Sequence, residues 1–331
     1  MSTYINVLPS LERETYLRLY QCMLKIRLTE ERLTEIYPSD EIQSPIHLCI
    51  GQEAVSAGVC LALEPTDHLY GTYRSHGIYI AKGGDLKKFF AELYGKETGC
   101  SRGKGGSMHL AAPEVGLMAC SAIVASTIPV ATGDALASQM QKNNRVVVAF
   151  FGDGAVDEGV FFESVNFAVL KKLPIIYVCE NNHYAIHSKV SDRHKQTELY
   201  RFGESLGLSG FRFDGNNVRT VYASMLDAVR QVRAGGEPLM LEYMTYRLYE
   251  HVGPGRDHHE AYRDPMKLRQ ALHNDPLEII GNEMRAVLNI DELTLEQYAK
   301  SIRREIDEAV EFAKASPFPG PDQLVEDVYA T

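Results

Sequence analysis

The sequence predicts an α/β fold in which helices cover both faces of a parallel sheet. Residues 145–151 (Arg-Val-Val-Val-Ala-Phe-Phe) and 174–179 (Pro-Ile-Ile-Tyr-Val-Cys) are nearly continuous apolar runs, which is typical of strands buried on both faces. A helical pattern joins them at about 158–172, and such strand–helix–strand units have parallel strands and right-handed crossovers. The alternation repeats with a helix at about 218–234 and a strand at 239–245. The expected architecture therefore has three layers, α/β/α.

The segments before this unit are predicted to be mainly helical. A helix is expected over residues 11–36, because apolar side chains recur there at helical spacing. These side chains are Tyr16, Leu19, Tyr20, Met23 and Ile26. Further helices are expected at about 51–63 and 86–94. Residues 95–116 are dense in Gly, Ser and Lys, so we expect a loop there, and loops of this length are often functional.

The C-terminal part is predicted to extend the same domain. Residues 265–315 are charged and have a helical pattern, and residues 316–321 (Ser-Pro-Phe-Pro-Gly-Pro) should be extended. The chain has no internal repeat and no low-complexity linker. We therefore expect one domain over residues 1–331, with an N-terminal helix and a C-terminal helical extension.

Composition and charge restrict the class of partner. Of the 331 residues, 45% are hydrophobic and 24% are charged, as in an ordinary soluble protein. The formal net charge is −10, and no stretch is rich in Lys and Arg, so nucleic acid is not an expected partner. An anionic ligand would need a local positive cluster or a metal ion.

Cysteine usage and the N-terminus indicate a cytoplasmic protein. The six cysteines are scattered, with neither a C-x-x-C pair nor the spacing of a zinc site. We expect them to be reduced and mostly buried. The first residues lack the pattern of a signal peptide, and no apolar run approaches membrane-spanning length.

Two polar residues follow two neighbouring predicted strands. Asp153 follows the first strand within Gly152-Asp-Gly154, and Asn182 follows the second within Asn181-Asn182. Ligands of parallel sheets bind beyond the carboxyl ends of the strands, so both oxygens should converge at one edge. One carboxylate and one amide suit Mg²⁺, which keeps further positions for water or phosphate. Either motif alone would be an ordinary turn, but the pair, with 26 residues between the motifs, favours a metal–phosphate site.

Several further segments occur in a characteristic order. They are His47-Leu-Cys-Ile-Gly-Gln-Glu-Ala54, Tyr73-Arg-Ser-His-Gly77, Gly103-Lys-Gly-Gly-Ser-Met-His109, Gly152-Asp-Gly-Ala155, Glu180-Asn-Asn-His-Tyr184, Thr245-Tyr-Arg247 and Asp327-Val-Tyr329. Together they resemble the α subunit of the thiamine-diphosphate-dependent, decarboxylating component of 2-oxo acid dehydrogenase complexes, of the pyruvate, acetoin and branched-chain types. The resemblance implies the thiamine-diphosphate-binding fold and covers most of the chain.

The resemblance implies roles for the residues that hold the metal and the diphosphate. Asp153, Asn182 and the backbone carbonyl of Tyr184 would bind Mg²⁺. Tyr73 and Arg74 would bind the diphosphate, and Arg74 would supply the positive charge that the acidic chain otherwise lacks. Without the surrounding motifs, Tyr73 and Arg74 would be interpreted as an ordinary pair at the start of a helix.

The resemblance also implies contacts to the rest of the cofactor. Backbone N–H groups would come from Gly154 and Ala155. The aminopyrimidine ring would lie against Ala122, Ile123 and Val124.

Two histidines are candidates for catalysis. By resemblance, His251 would lie near the diphosphate and the reacting carbon, and His47 near the substrate carboxylate. They are two of eleven histidines, and an arbitrary histidine is more often a surface or hydrogen-bonded residue than a catalyst.

One required group is not found in the sequence. Thiamine chemistry needs a glutamate against the aminopyrimidine ring, and in the family this residue comes from a separate β subunit. We find no convincing candidate in this chain, so we expect it to be inactive alone and to form an α₂β₂ heterotetramer.

The chain departs from the family pattern around the expected substrate entrance. Tyr249 occupies a position where the family usually has histidine, and Ala122 replaces a frequent glycine. Residues 253–257 (Gly-Pro-Gly-Arg-Asp) lack the serines that are phosphorylated in mitochondrial relatives. We therefore expect an unusual substrate and no phosphorylation of this loop.

Three functions are compatible with these observations. The first is a 2-oxo acid dehydrogenase subunit that decarboxylates a pyruvate-like substrate and transfers the acyl group to a lipoyl carrier, with a lipoyl acyltransferase as a further partner. The second is a thiamine-dependent acyloin lyase or carboligase of specialised metabolism. The third is an inactive scaffold subunit, against which the complete set of metal and diphosphate ligands argues.

Overall fold

The computed structural model describes residues 11–326, and the matching tail segment Asp327-Val-Tyr329 lies outside them. Its strands are β1 (His68–Thr72), β2 (Leu117–Ser121), β3 (Val147–Gly152), β4 (Ile175–Asn181), β5 (Tyr184–Ala185), β6 (Ser188–Lys189), β7 (Ser209–Asp214) and β8 (Leu239–Met244). Six of them form one sheet in the order β2-β1-β3-β4-β8-β7, and every neighbouring pair is parallel. The short strands β5 and β6 form an antiparallel hairpin.

The α-helices of the described residues cover both faces of this sheet. They are α1 (Arg13–Ile36), α2 (Glu53–Leu61), α3 (His76–Lys82), α4 (Leu86–Leu93), α5 (Thr127–Gln141), α6 (Gly159–Lys171), α7 (Val190–Arg193), α8 (Arg201–Glu204), α9 (Val218–Arg233), α10 (Pro265–His273), α11 (Pro276–Leu288) and α12 (Glu292–Ala315). Helices α5 and α6 pack on one face of the sheet, and α2 and α9 pack on the other. The predicted three-layer α/β/α fold is confirmed.

The strands in the centre of the sheet are apolar on both faces because each face has its own core. On β3, Val148 and Phe150 belong to the core under α1, α2 and α9, whereas Val147, Ala149 and Phe151 belong to the core under α5 and α6. Side chains alternate between the faces of a strand, so a strand between two cores needs an unbroken apolar run. This requirement explains the pattern from which the strand was predicted.

The predicted elements agree with the structure to within a few residues, but the prediction missed several others. Strands β1, β2 and β7 and helices α3 and α5 were not expected. The missed strands are only five or six residues long and are not continuously apolar, so they lack the signal that identified β3 and β4. Helix α5 contains Pro129 and Gly133, which lower the helical signal of its sequence.

The predicted glycine-rich loop is ordered by one buried carboxylate. Glu92 on α4 accepts backbone N–H bonds from Ser101 (2.7 Å), Gly103 (3.0 Å), Gly105 (2.7 Å) and Gly106 (3.0 Å). Charge-assisted bonds of this kind are stronger than bonds between neutral groups. The loop contains two single 3₁₀ turns, at Gly106–Met108 and Pro113–Val115, and it leads directly into the wall of the cavity described next.

Between residues 11 and 326, no helix combines the length and the apolar character that crossing a bilayer requires. The six cysteines are free thiols: four are buried, and Cys22 and Cys100 are partly exposed.

Candidate active site

A cavity of about 430 Å³ opens at the carboxyl ends of β1, β3 and β4. The chain runs from β1 to β2 in one direction along the sheet and from β3 to β4 in the other, so the cavity lies at the point where the strand order reverses. Open parallel sheets bind ligands at such a point. All twelve residues singled out from the sequence line this one cavity: His47, Tyr73, Arg74, Ala122, Ile123, Val124, Asp153, Gly154, Ala155, Asn182, Tyr184 and His251.

Asp153 is the buried carboxylate of this cavity. It begins a short 3₁₀ turn, Asp153–Asp157, at the end of β3 and is only 2% exposed. Burial raises the pKa of Asp153 to about 6, although the guanidinium of Arg193 beside it lowers the pKa in part. Arg193 forms ion pairs with both Asp153 and Asp157. A cation therefore already lies against the carboxylate that was predicted to bind a metal ion.

Asn182 is held in a fixed orientation one strand away. Its side-chain N–H donates to Oε1 of Gln52 at 3.0 Å, and its Oδ1 accepts the backbone N–H of Tyr184 at 3.1 Å. The next residue, His183, has a positive φ of 74°, which turns the chain back after β4. Because the amide nitrogen is occupied by Gln52, the oxygen is the atom left to face a ligand.

Arg74 is a buried cation that forms no ion pair with a carboxylate among residues 11–326. It is 8% exposed, and its guanidinium donates to the backbone oxygens of Leu48 (2.6 Å) and His251 (3.2 Å). A longer contact of 3.5 Å reaches Nδ1 of His251. Burial lowers the pKa of Arg74. A buried charge is costly unless it is paired, so this guanidinium is suited to an incoming anion.

Tyr73, His47 and His251 form an aromatic cluster beside Arg74. The ring centroids of His47 and Tyr73 are 4.5 Å apart, those of His47 and His251 5.2 Å, and those of Tyr73 and His251 5.6 Å. Burial, followed by the nearby charge of Arg74, lowers the pKa of His47 to about 3 and that of His251 to about 4. Both imidazoles are therefore neutral at pH 7.

The wall after β2 is apolar and open. Ile123 is 70% exposed and Val124 is 44% exposed, although both line the cavity. They stand just before helix α5, and Ala125 follows with a positive φ of 62°. The cavity is thus polar and buried at the ends of β3 and β4 but apolar and accessible at the end of β2.

Several residues of the site were missed from the sequence, including the four that follow. Met108 and Glu180 line the cavity, Gln52 orients Asn182, and Arg193 pairs with Asp153. Burial raises the pKa of Glu180 to about 8, with Gln52 and Arg74 opposing the shift. Only Glu180 had a local signal, because it stands beside Asn181-Asn182 at a strand end. The other three are brought to the site by long-range contacts.

The observed departures from the family pattern lie mostly outside the cavity. Ala122 lines it, but Tyr249 does not. Tyr249 is buried, and its carbonyl accepts hydrogen bonds from Arg247 and Arg263. The following loop is closed by Glu250, whose carboxylate accepts the backbone N–H of Gly255 at 2.7 Å. The side chain of Tyr249 is therefore outside the cavity lining, and its place near the substrate entrance stays a prediction.

The cavity fits a diphosphate with a divalent cation. A Cβ added at Gly152 would meet no atom within 4 Å, so the backbone there borders open space. The cavity combines an unpaired buried guanidinium, a buried carboxylate and an oriented amide oxygen, which come from Arg74, Asp153 and Asn182. These are the groups that an anionic phosphate and a hard metal ion require.

Comparison with known proteins finds similarity over almost the whole chain. Residues 20–322 match the family model described as the dehydrogenase E1 component. The alpha subunit of the pyruvate dehydrogenase E1 component of Rickettsia felis is 35% identical over 317 residues, which cover 96% of each chain. The same subunit of Rhizobium meliloti is 36% identical over 316 residues, 96% of this chain and 90% of the relative.

A relative with a different function is similar over nearly the same length. The alpha subunit of the acetoin:2,6-dichlorophenolindophenol oxidoreductase of Bacillus subtilis is 34% identical over 323 residues. The match covers 97% of this chain and 96% of the relative. Similarity to both kinds of subunit extends over almost the full chain.

Proposed function

The chain belongs to the dehydrogenase E1 component family, and from this premise we propose that it is the alpha subunit of a 2-oxo acid dehydrogenase acting on a pyruvate-like substrate. Its relatives are alpha subunits of pyruvate dehydrogenase and acetoin oxidoreductase. The family is the thiamine-diphosphate-dependent, decarboxylating component of such complexes. Membership therefore makes this chain part of an oxidoreductase that uses thiamine diphosphate.

The observation that carries the proposal is the buried, unpaired Arg74 in a cavity that also holds Asp153 and Asn182. We assign the diphosphate to Arg74 and Tyr73, with backbone N–H contacts from Gly154 and Ala155. The open space beside the backbone of Gly152, directly before this turn, lets phosphate oxygens approach the chain closely.

We assign Mg²⁺ to Asp153, Asn182 and the backbone carbonyl of Tyr184. Gln52 supports this assignment because it accepts a hydrogen bond from the amide nitrogen of Asn182 and so fixes the orientation of the amide. The amide oxygen accepts the backbone N–H of Tyr184 and keeps a second lone pair for the ion. Arg193 must release Asp153 when the ion binds, and Asp157 retains its own ion pair with Arg193.

Bound thiamine diphosphate supplies the electron sink for decarboxylation of the 2-oxo acid. The chain contributes positioning and proton transfer. Because His47 and His251 are neutral at pH 7, each can donate or accept a hydrogen bond without carrying a charge. We propose that His251 acts near the reacting carbon and that His47 orients the substrate carboxylate. Arg74 lies beside both histidines.

We propose a β subunit as the obligatory partner, in an α₂β₂ heterotetramer. The carboxylates of the cavity, including Asp153 and Glu180, stand at the ends of β3 and β4. Residues 122–124 follow β2, which is separated from β3 by β1, a distance of about 10 Å across the sheet. The cavity lining also contains Asp157 and Glu158, which follow β3 in the turn that begins at Asp153. None of these four carboxylates is assigned to the aminopyrimidine, so we propose that the activating glutamate comes from the β subunit.

Exposed apolar side chains mark where that partner binds. Ile123 is 70% exposed at the cavity, and on the same face of the sheet Val130 of α5 and Leu170 of α6 are 55% and 72% exposed. Helix α5 packs against α6. Exposed apolar surface of this kind is typical of an interface, and here it begins at the open wall of the cavity.

The acyl acceptor is proposed to be a lipoyl group on a separate acyltransferase. The similar chains are subunits of a dehydrogenase and of an oxidoreductase. Neither the carboligase nor the inactive scaffold is therefore favoured.

The test is a screen of 2-oxo acids with the chain co-purified with its β subunit, thiamine diphosphate and Mg²⁺. An artificial electron acceptor reports oxidative decarboxylation. We expect turnover with pyruvate or a close homologue, and none when either subunit is omitted. Absence of turnover with every 2-oxo acid by a complex that binds the cofactor would overturn the proposed reaction.

A further inference from the structure

Three buried side chains form a hydrogen-bonded row behind the cavity. Oγ of Ser107 lies 2.7 Å from Nε2 of His76, and Nδ1 of His76 lies 3.1 Å from Oε1 of Glu30. Each of the three residues is 0% exposed. The row joins helix α1, the first residue of α3 and the glycine-rich loop.

The direction of the hydrogen bonds follows from Glu30. Its two carboxylate oxygens also accept the backbone N–H of Cys49 at 2.9 and 2.8 Å. An ionised carboxylate can only accept, so the imidazole proton of His76 is placed on Nδ1 and its Nε2 is left as an acceptor. The hydroxyl of Ser107 then donates to Nε2.

The same order of groups occurs in serine hydrolases, but access excludes that chemistry here. A nucleophilic hydroxyl must reach a substrate carbonyl. Ser107 is fully buried and is not part of the cavity lining, and the same holds for His76 and Glu30. The row therefore has a role other than covalent catalysis.

Each member of the row is connected to a residue that lines the cavity. Ser107 directly precedes Met108, and His76 stands two residues after Arg74. Cys49, which is bound to Glu30, stands two residues after His47, and the residue between them, Leu48, accepts a hydrogen bond from Arg74. Met108, Arg74 and His47 all line the cavity.

We propose that Ser107, His76 and Glu30 act as positioning residues that set the relative places of Met108, Arg74 and His47. The inference rests on the proposed function, because it assigns the row to the cofactor and substrate wall of that site. None of the three side chains can move without leaving a buried polar group unpaired. The row therefore holds the segments that carry Met108, Arg74 and His47 in fixed positions relative to one another.

The test compares Ser107→Ala with Ser224→Ala in the complex with the β subunit. Ser224 is also 0% exposed and shares a hydrogen bond of 2.9 Å with the hydroxyl of Tyr243, but it lies on α9 outside the cavity lining. Calorimetry with thiamine diphosphate and Mg²⁺ should show about tenfold weaker binding for Ser107→Ala. Binding to Ser224→Ala should remain unchanged, although both variants lose a similar amount of thermal stability.

Three outcomes overturn the inference. Wild-type affinity in Ser107→Ala is the first, and equal weakening in both variants is the second, because a general loss of stability would then explain the result. The third is a ¹⁵N spectrum of labelled histidine in which His76 carries its proton on Nε2. Failure of the wild-type complex to bind the cofactor would instead refute the proposed function, so the two failures are distinguishable.

A second variant keeps the test decisive if Ser107→Ala does not fold. In His76→Asn, the side-chain amide can still donate to Glu30 but cannot reach Ser107. It should show the same tenfold loss of cofactor affinity, and the double variant should be no worse than either single one, because all three break the same connection. Additive losses would show that Ser107 and His76 act independently and would contradict the proposal.

Discussion

Arg74 places a buried positive charge in the candidate site of an acidic chain. The protein has a formal net charge of −10, yet its candidate site holds a guanidinium that is buried and has no carboxylate partner among the hydrogen-bond acceptors of the described residues. The resemblance assigned the diphosphate to this residue. The structure adds the physical reason, because a buried charge of this kind is stabilised by a ligand of opposite sign.

At the residue scale, Asp153→Ala should abolish Mg²⁺-dependent binding of thiamine diphosphate while the fold is retained. The substitution removes the only negatively charged ligand assigned to the ion. Calorimetry measures the loss, and circular dichroism checks the fold. Asp157→Ala is the matched control, because Asp157 also pairs with Arg193 but is not an assigned ligand. Unchanged cofactor affinity in Asp153→Ala would refute the ligand assignment.

The neutral His47 predicts a dependence of stability on pH. Its pKa is about 3 in the folded protein and about 6.5 in an unfolded chain. The unfolded state therefore binds more protons below pH 6.5, and the stability due to neutral His47 is lost as the pH falls from 6.5 towards 3. Between pH 7 and pH 5 this loss is at most about 2 kcal/mol.

His47→Gln should remove that contribution. Urea unfolding of wild type and variant at pH 7 and pH 5 measures it, and the decrease in the free energy of unfolding should be smaller in the variant by up to about 2 kcal/mol. His259→Gln serves as a control, because His259 is exposed. An identical decrease in wild type and His47→Gln would show that the pKa of His47 is not lowered in the folded protein.

At the scale of elements, the glycine-rich loop owes its order to helix α4. Four backbone N–H groups between Ser101 and Gly106 converge on the carboxylate of Glu92. The sequence indicates only that this stretch is not a regular element. A carboxylate with two oxygens and several lone pairs can satisfy four donors, and no neutral side chain has the same capacity.

Glu92→Gln should therefore loosen this loop more than the rest of the protein. The amide retains one oxygen and turns its N–H₂ group towards two of the four donors, so at least two bonds are lost. Hydrogen exchange of residues 101–106 should become faster by about tenfold or more, corresponding to a local loss of about 1–3 kcal/mol. Equal exchange rates in wild type and variant would contradict the role of Glu92.

At the scale of the whole molecule, we propose that the open side of the cavity and the apolar surface of α5 and α6 are both contacted by the β subunit. Helices α5 and α6 lie on one face of the sheet, and Val130 and Leu170 are exposed on them. One apolar core contains residues from Tyr16 in α1 to Ala313 in α12, which supports our proposal that the chain is a single domain. We propose that a β subunit completes the site of that domain.

Leu170→Glu should weaken association with the β subunit while leaving the isolated chain folded. Leu170 is 72% exposed on α6, and a charge buried at an interface without a partner costs several kcal/mol. Analytical ultracentrifugation of the mixed subunits measures the loss of the heterotetramer. Leu293→Glu on α12 is the matched control, with 61% exposure of the original leucine. Full assembly of Leu170→Glu would place the partner on another surface.

The sequence by itself determined the central strands and the convergence of Asp153 and Asn182. Strands between two cores must be apolar throughout, and the carboxyl ends of parallel strands meet at one edge. Both properties can therefore be read from a local pattern. The resemblance of several ordered segments added the cofactor, and the family match confirms it at the level of the E1 component.

Only the tertiary structure decided how the site is held together. Gln52 contacts Asn182 across 130 positions, and Ser107 contacts His76 across 31. The neutral state of His47 depends on its burial and on Arg74. No local pattern encodes such contacts, because burial and long-range hydrogen bonds arise only when distant segments pack. The sequence therefore indicated which residues we propose to bind the ligand, and the fold decided which residues hold them in place.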